Sequence, residues 1–115
     1  MIEKILRDYL LEVLSVPVYM QKPERLTENE YIIIEKTGSS ATNHIETATV
    51  AIQSYSSSLY GAAVINKAVK QAMRDAEALD DIAGIRLNTD YNFSDTATKQ
   101  YRYQAVFVIS WYEED

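Results

Sequence analysis

Segment 101–112, YRYQAVFVISWY, constrains the fold most strongly, because its side chains alternate with period two along its whole length. Such alternation is typical of a β-strand with one face on a core and the other toward solvent. The more apolar face comprises Tyr101, Tyr103, Ala105, Phe107, Ile109 and Trp111. The opposite face comprises Arg102, Gln104, Val106, Val108 and Tyr112. We therefore expect a sheet with one buried face and one mixed, accessible face.

Further strands and helices follow from the same periodicities. Residues 31–36 are rich in β-branched side chains, and residues 45–55 and 85–93 alternate, so each of the three predicts a strand. Residues 2–14 and about 59–79 carry apolar side chains at helical spacing. Pro17 should end the first helix, a short extended piece follows at 18–20, and Gly84 should close the second helical segment.

The order of these elements, α-β-ββ-α-ββ, predicts an α+β fold. We expect a largely antiparallel or mixed sheet, with an N-terminal helix and one long central helix packed on one face. At 115 residues, the chain should form a single domain over 1–115.

Composition argues against several classes of function. The chain has no cysteine, which removes disulfides, thiol catalysis and sulfur-ligated metals. Its net charge of -6 disfavours a sequence-independent grip on nucleic acid, which needs clustered Lys and Arg. No apolar run approaches the roughly 18 residues of a membrane span, and charges interrupt the first helix, which argues against a signal peptide. We expect a soluble protein with no membrane partner.

The segment 37–44, TGSSATNH, gathers four hydroxyl side chains and the only histidine. A nucleophile would need a base in reach and a third group to orient it, and no glycine elbow or strand-turn-helix context surrounds Ser39 or Ser40. One glycine and no lysine also exclude a phosphate-binding loop. We interpret the segment as the solvated polar loop of a β-hairpin, longer than a two-residue turn, or alternatively as a contact surface.

The acidic residues do not form a metal or acid-base site by their spacing. Asp80-Asp81 and residues 113–115 are the densest clusters, and neither has the spacing of a calcium loop. Asp90 and Asp95 have no evident partner for general acid-base chemistry. We expect no catalytic residue, no cofactor and no metal ion.

The nine tyrosines include several on strand faces that also carry polar groups. Half-buried sheet packing explains them, since tyrosine favours strands. A protein interface is the alternative, because tyrosine and arginine are enriched there. The set comprises Tyr55, Tyr91, Tyr101, Tyr103 and Tyr112.

After the N-terminal helix come the stretches LSVPVYMQKPE, EYIIIEKTGSSATNHIETATVAIQSY, SLYGAAVINKAVKQAM and GIRLNTDYNFSDTATKQYRYQAVFVISWY. In this order, they resemble the tail-completion or tail-terminator proteins of long-tailed bacteriophages, which are also described as minor capsid or head-tail joining proteins. The resemblance is one of ordered pattern and covers essentially the whole chain.

The resemblance implies a structural virion protein and not an enzyme. Members of that family form rings, commonly hexameric, that cap the tail tube and offer the head connector a docking surface. The implied partners are copies of the same chain, the major tail tube protein and the head-tail connector protein, while DNA passes through the lumen without specific binding. The implied location is the head-tail junction of the virion, reached by assembly in the host cytoplasm.

A ring contact requires two different patches on each subunit. No motif identifies the residues of these patches, so we chose candidates from polar and aromatic segments that we expect on the surface. The candidates lie in the polar hairpin segment, in the connection that begins at Arg25 and in the segment around Arg102. They are Gly38, Ser39, Ser40, Thr42, Asn43, His44, Arg25, Tyr101, Arg102 and Tyr103.

Two other functions stay open from the sequence. One is a head-completion or adaptor protein on the portal side of the same junction. The other is a small cytosolic ligand-binding α+β domain, which would need a concave pocket with convergent polar groups, for instance near Asp90 or Tyr91.

Overall fold

The computed structural model describes residues 1–25, 27–42 and 44–112. Within these ranges it contains two helices, five strands and one 3₁₀ turn. In chain order these are α1 (Ile2–Val13), β1 (Val18–Tyr19), β2 (Tyr31–Thr42), β3 (Ile45–Ser56), α2 (Leu59–Asp75), the 3₁₀ turn (Ala76–Ala78), β4 (Ile82–Asn92) and β5 (Tyr101–Tyr112). The predicted α+β fold with the order α-β-ββ-α-ββ is confirmed.

The five strands form one mixed sheet in the order β1-β2-β3-β5-β4. Only β1 and β2 run parallel, and the other neighbours are antiparallel. The pairing of β2 with β3 shifts register between Lys36 and Gly38, and that of β4 with β5 shifts between Leu87 and Thr89. Such bulges bend a strand locally while the sheet continues on either side.

Both helices pack on one face of the sheet, as the sequence predicts. The core joins Leu6 and Leu10 of α1 and Val69 and Met73 of α2 to alternate residues of the sheet, among them Ile52. The Tyr9 hydroxyl donates to the Ala72 carbonyl at 2.8 Å and so links the two helices. Among the described residues, no helix is long and apolar enough to cross a membrane.

The ends of the helices have local causes. Leu14 is extended, three residues before Pro17, so α1 ends where the proline predicts. Ser58 is the N-cap of α2, and its side chain accepts a hydrogen bond from the Gly61 amide at 3.0 Å.

Two boundary predictions are wrong. The second helix ends at Asp75 and continues only as the 3₁₀ turn, so the predicted span to 79 is too long. Gly84 does not close that segment but pairs with Ser110 inside β4, which begins at Ile82. Ile82 is buried and pairs with Trp111 of β5, so the strand begins before the alternating run that the sequence displays.

The prediction of a solvated loop over 37–44 is also wrong for residues 37–42. These residues belong to β2, and pairing with β3 continues to the Thr42–Ile45 pair. Two residues therefore connect the strands, and the second, His44, has a φ of 66°, typical of tight hairpin turns. The small residues of 38–41 have low strand propensity. They adopt strand geometry because they pair with the regular strand β3.

Candidate interaction surface

The sheet face opposite the helices is the candidate functional surface and is called the open face below. Residues of β3 and β5 point to it together, because the register pairs Thr49 with Val108, Ala51 with Val106, and Gln53 with Gln104. The open face also includes Tyr31 and Ile33 of β2, which form a second, smaller cluster with Tyr55, apart from the helix-side core.

A row of aromatic side chains and one arginine crosses the open face at the end where β2 begins. We call it the cross-sheet row, and it consists of Tyr19, Tyr31, Tyr55, Arg102, Phe93 and Tyr91. The ring centroids of Tyr19 and Tyr31 lie 6.4 Å apart, and those of Tyr31 and Tyr55 lie 4.5 Å apart in a stacked arrangement. At the other end, the rings of Tyr91 and Phe93 meet edge to face at 5.7 Å.

Arg102 joins the two aromatic halves of the row. Its guanidinium carbon lies 5.6 Å from the ring centroid of Tyr55 and 4.4 Å from that of Phe93. Nε donates to the Phe93 carbonyl at 2.7 Å, and Nη1 donates to the Tyr55 hydroxyl at 3.0 Å. The planar guanidinium thus makes cation–π contacts and directed hydrogen bonds together, which a lysine ammonium does not reproduce.

Side-chain hydrogen bonds extend this order along the face. The Tyr55 hydroxyl donates to Oε1 of Gln53 at 3.0 Å, and Nε2 of Gln53 donates to Oε1 of Gln104 at 2.8 Å. Nε2 of Gln104 in turn donates to the Tyr91 hydroxyl. A connected set of this kind fixes the rotamers of its members and gives the open face a preorganised surface.

Two tyrosines of the row, Tyr19 and Tyr31, have a pKa above the ordinary value. Burial raises the pKa of Tyr31, the nearby Tyr55 adds to the effect, and Arg102 opposes it. The hydrogen bond to Glu28 raises the pKa of Tyr19, with burial as the second cause. These hydroxyls act as hydrogen-bonding groups and not as nucleophiles at neutral pH.

The structure separates the sequence-predicted interface residues into distinct places. Gly38, Ser39, Ser40 and Thr42 are exposed on β2, and His44 is exposed at the turn. Asn43 lies outside the described residues. Among the described residues, no hydrogen bond joins His44 to either serine.

The remaining predicted residues lie on both sheet faces and in the connection before β2. Arg102 lies on the open face, whereas Tyr101 and Tyr103 are half-buried on the helix side, where Tyr103 pairs with Ser54. Arg25 is exposed in the connection before β2. The structure therefore does not gather these residues into one patch.

Sequence reasoning missed Tyr19, Tyr31, Phe93, Gln53 and Gln104 as members of a connected surface. Tyr31 and Ile33 are two residues apart, so they point to the same face of a strand. That spacing could have placed Tyr31 on the open face, but the apolar run around it predicts burial on both faces. Phe93 follows the last residue of β4, and its amide donates to the Arg102 carbonyl at 2.9 Å, a pairing that only the folded hairpin reveals.

A groove of about 710 Å³ lies between α2 and β4 on the helix side. Lys67, Lys70 and Arg74 line the groove, together with the exposed apolar side chains of Val64 and Leu87. Lys70 Nζ lies 2.5 Å from a carboxylate oxygen of Asp90. The other oxygen of Asp90 accepts a hydrogen bond from Asn66 Nδ2 at 2.7 Å.

In the described part of the chain, no group of three or more His, Cys, Asp or Glu residues is placed to hold a metal ion. A comparison with protein-family models gave no match, and a comparison with curated protein sequences gave none either.

Proposed function

We propose that this protein is a non-enzymatic structural subunit of a bacteriophage virion, acting at the head-tail junction. In this proposal, copies of the chain form a ring, hexameric by resemblance, that caps the completed tail tube and docks the head-tail connector protein. The ring assembles in the host cytoplasm, and DNA passes through its lumen without specific binding.

The open face with its cross-sheet row is the observation that carries the proposal. Tyrosine, phenylalanine and arginine are the residues that protein interfaces favour, and Tyr91 and Phe93 are 40% and 41% exposed there. The hydrogen bonds around Arg102 and Gln104 hold these side chains in place before any partner binds. Such preorganisation reduces the entropy lost on association.

Charge also supports the proposal. The chain carries 17 acidic and 11 basic residues, so a lumen built from it does not hold the phosphate backbone strongly. Weak attraction to DNA suits a passage through which the genome must move.

Electron microscopy of phage particles assembled without this protein tests the proposal. A tail terminator predicts overlong or headless tails. A head-completion or adaptor protein instead predicts heads that leak DNA beside free tails of normal length. Normal particles would refute both virion functions and favour the ligand-binding alternative.

Binding to purified tail tubes tests the open face directly. The variants Tyr91→Ser and Phe93→Ser should weaken binding by about tenfold or more, as expected for aromatic side chains that a partner buries. Tyr60→Ser is the matched control, because Tyr60 is 81% exposed at the start of α2, outside the sheet. Equal binding by all three variants would remove the open face from the interface.

A further inference from the structure

The sheet has two free edges at its opposite sides. Strand β1 covers β2 only at Ile32 and Ile33, so from Ile34 to Thr42 the outer edge of β2 has no strand beside it in the part of the chain that the structure describes. At the other side of the sheet, β4 pairs only with β5 within the same described ranges. Each edge therefore presents backbone N–H and C=O groups that another strand can bind.

Lys36 and the bulge at Thr37 lie at the start of this edge, and beyond them the edge of β2 lacks the charges and prolines that normally prevent strand addition. Residues 37–42 contain no charged side chain and no proline, and all six are exposed. Natural edge strands are usually protected by lysines, prolines or very short length. An uncharged run of this length is suited to pairing with another strand.

We propose that the β2 edge of one copy pairs with the β4 edge of a second copy, so that the sheet continues from subunit to subunit. Since β2, β3, β5 and β4 alternate in direction, β2 and β4 run opposite to one another. Two copies placed side by side in the same orientation therefore bring β2 and β4 together as antiparallel neighbours.

The lengths of the two edges match in one register. In this register Ile34 of one copy lies opposite Asn92 of the other, and Thr42 lies opposite Gly84. The pairing then includes β4 from Gly84 to Asn92 and all of β2 that β1 leaves unpaired. Each strand has one bulge, at Thr37 in β2 and at Asn88 in β4, and the two bulges lie next to each other in this register. The change of face that one bulge causes is therefore matched by the other, and helix-side residues of one strand stay opposite helix-side residues of the other. Ser40 then lies opposite Arg86.

Charge is also complementary in this register, because Lys36 lies opposite Asp90. The two side chains are 35% and 26% exposed, and both lie on the helix side, where Lys36 Nζ is 3.9 Å from a carboxylate oxygen of Glu3 in its own chain and Asp90 already binds Lys70. A second cation beside a fixed carboxylate adds an opposite-charge cross-strand pair, which stabilises antiparallel pairing.

The groove between α2 and β4 is an independent observation that favours a second copy. In each chain α1 packs over β1 and β2, so the α1 helix of a neighbour joined at β2 would lie over β4, beside α2. The groove there exposes Val64 and Leu87 at 49% and 45%, and α1 exposes Leu11 at 40%. The same placement thus joins two strand edges and covers exposed apolar surface on both copies.

This contact is heterologous, since it uses different surfaces of the two copies, and repetition closes a ring or extends a filament. The inference rests on the proposed function only in taking the ring as the assembled state.

Oxidative cross-linking tests the contact, and the absence of cysteine from the chain gives a clean background. The double variant Ser40→Cys/Arg86→Cys places two thiols opposite each other on neighbouring copies, within reach of a disulfide. We expect a ladder of disulfide-linked multimers on non-reducing gels. The control Ser40→Cys/Asn92→Cys uses the same strands out of register and should give several-fold less.

Light scattering on the same unoxidised samples separates the two proposals. If light scattering shows a ring but the two variants cross-link equally, or neither cross-links, the edge contact is overturned and the ring proposal is retained. Register-specific cross-links in an open-ended ladder, without a closed ring, support the edge contact and overturn the ring. A strict monomer with no cross-links overturns both.

Discussion

Arg102 lies over the ring of Phe93 at 4.4 Å while its Nε donates to the backbone carbonyl of that same residue at 2.7 Å. The two residues belong to opposite arms of the β4–β5 hairpin, so one side chain fixes both the ring and the backbone at the start of the connection. Arg102 also donates to Tyr55 on β3. This arginine therefore holds the hairpin end to the rest of the sheet.

Arg102→Lys should destabilise the fold by about 1–2 kcal/mol, because an ammonium group cannot keep both directed hydrogen bonds and the stacked contacts. Urea unfolding followed by circular dichroism measures the change. Arg86→Lys on the exposed side of β4 is the control and should stay within about 0.5 kcal/mol of the wild type. Equal stability of the two variants would show that the Arg102 contacts contribute nothing net.

Ser54 and Ser56, two residues apart on the helix side of β3, predict opposite effects of the same substitution. Ser54 is fully buried, and its hydroxyl has no hydrogen-bond partner among the described residues. Ser54→Ala should therefore raise the free energy of unfolding, by about 0.5–1 kcal/mol, by removing an unsatisfied polar group.

Ser56 is the matched control, because its hydroxyl donates to a carboxylate oxygen of Glu30 at 3.1 Å. Ser56→Ala should lower the free energy of unfolding by about 0.5–1.5 kcal/mol. Thermal unfolding of both variants tests the pair. A loss of stability in Ser54→Ala as large as that in Ser56→Ala would contradict the assignment.

Tyr31 predicts a loss of stability in alkaline solution. Burial raises its pKa above the ordinary 10.0, so the folded state disfavours the ionised phenolate. Its stabilising contribution is complete below the pKa of the unfolded chain and decreases as the pH rises through that of the folded state.

Tyr31→Phe retains a ring that can stack on Tyr55 but removes the group that ionises. Its stability should match that of the wild type near neutral pH and fall less steeply as the pH rises above about 10. Urea midpoints across that range measure the slope, and Tyr112→Phe, on an exposed tyrosine, is the control. Parallel curves for Tyr31→Phe and wild type would contradict the prediction.

The sequence was sufficient for features set by local periodicity and insufficient for those set by pairing. The alternation of 101–112 gave β5 its correct bounds, and apolar spacing together with Pro17 placed α1 within one residue. Ser39 and Ser40 adopt strand geometry because β3 pairs with them, and nothing in their own segment indicates it. The contact of Arg102 with Tyr55 likewise depends on the β3–β5 register, which joins residues distant in the chain.

Charge at Ser40 should control assembly if β2 and β4 pair between copies. Ser40 is exposed and lies opposite Arg86 in the proposed register, so Ser40→Lys places two cations face to face, whereas Ser40→Glu creates an opposite-charge pair. We expect Ser40→Lys to raise the concentration needed for assembly by about tenfold or more and Ser40→Glu to leave it unchanged or lower.

The exchange Ser40→Lys/Arg86→Glu should restore assembly, because the new pair again carries opposite charges. Sedimentation velocity over a concentration series measures each variant, and the differences should shrink in about 1 M salt, where the Debye length is about 3 Å. Circular dichroism should be the same for all the variants, since both positions are exposed in the isolated chain. Similar weakening by lysine and glutamate at position 40, without rescue by the exchange, would show that Arg86 is not the neighbour of Ser40.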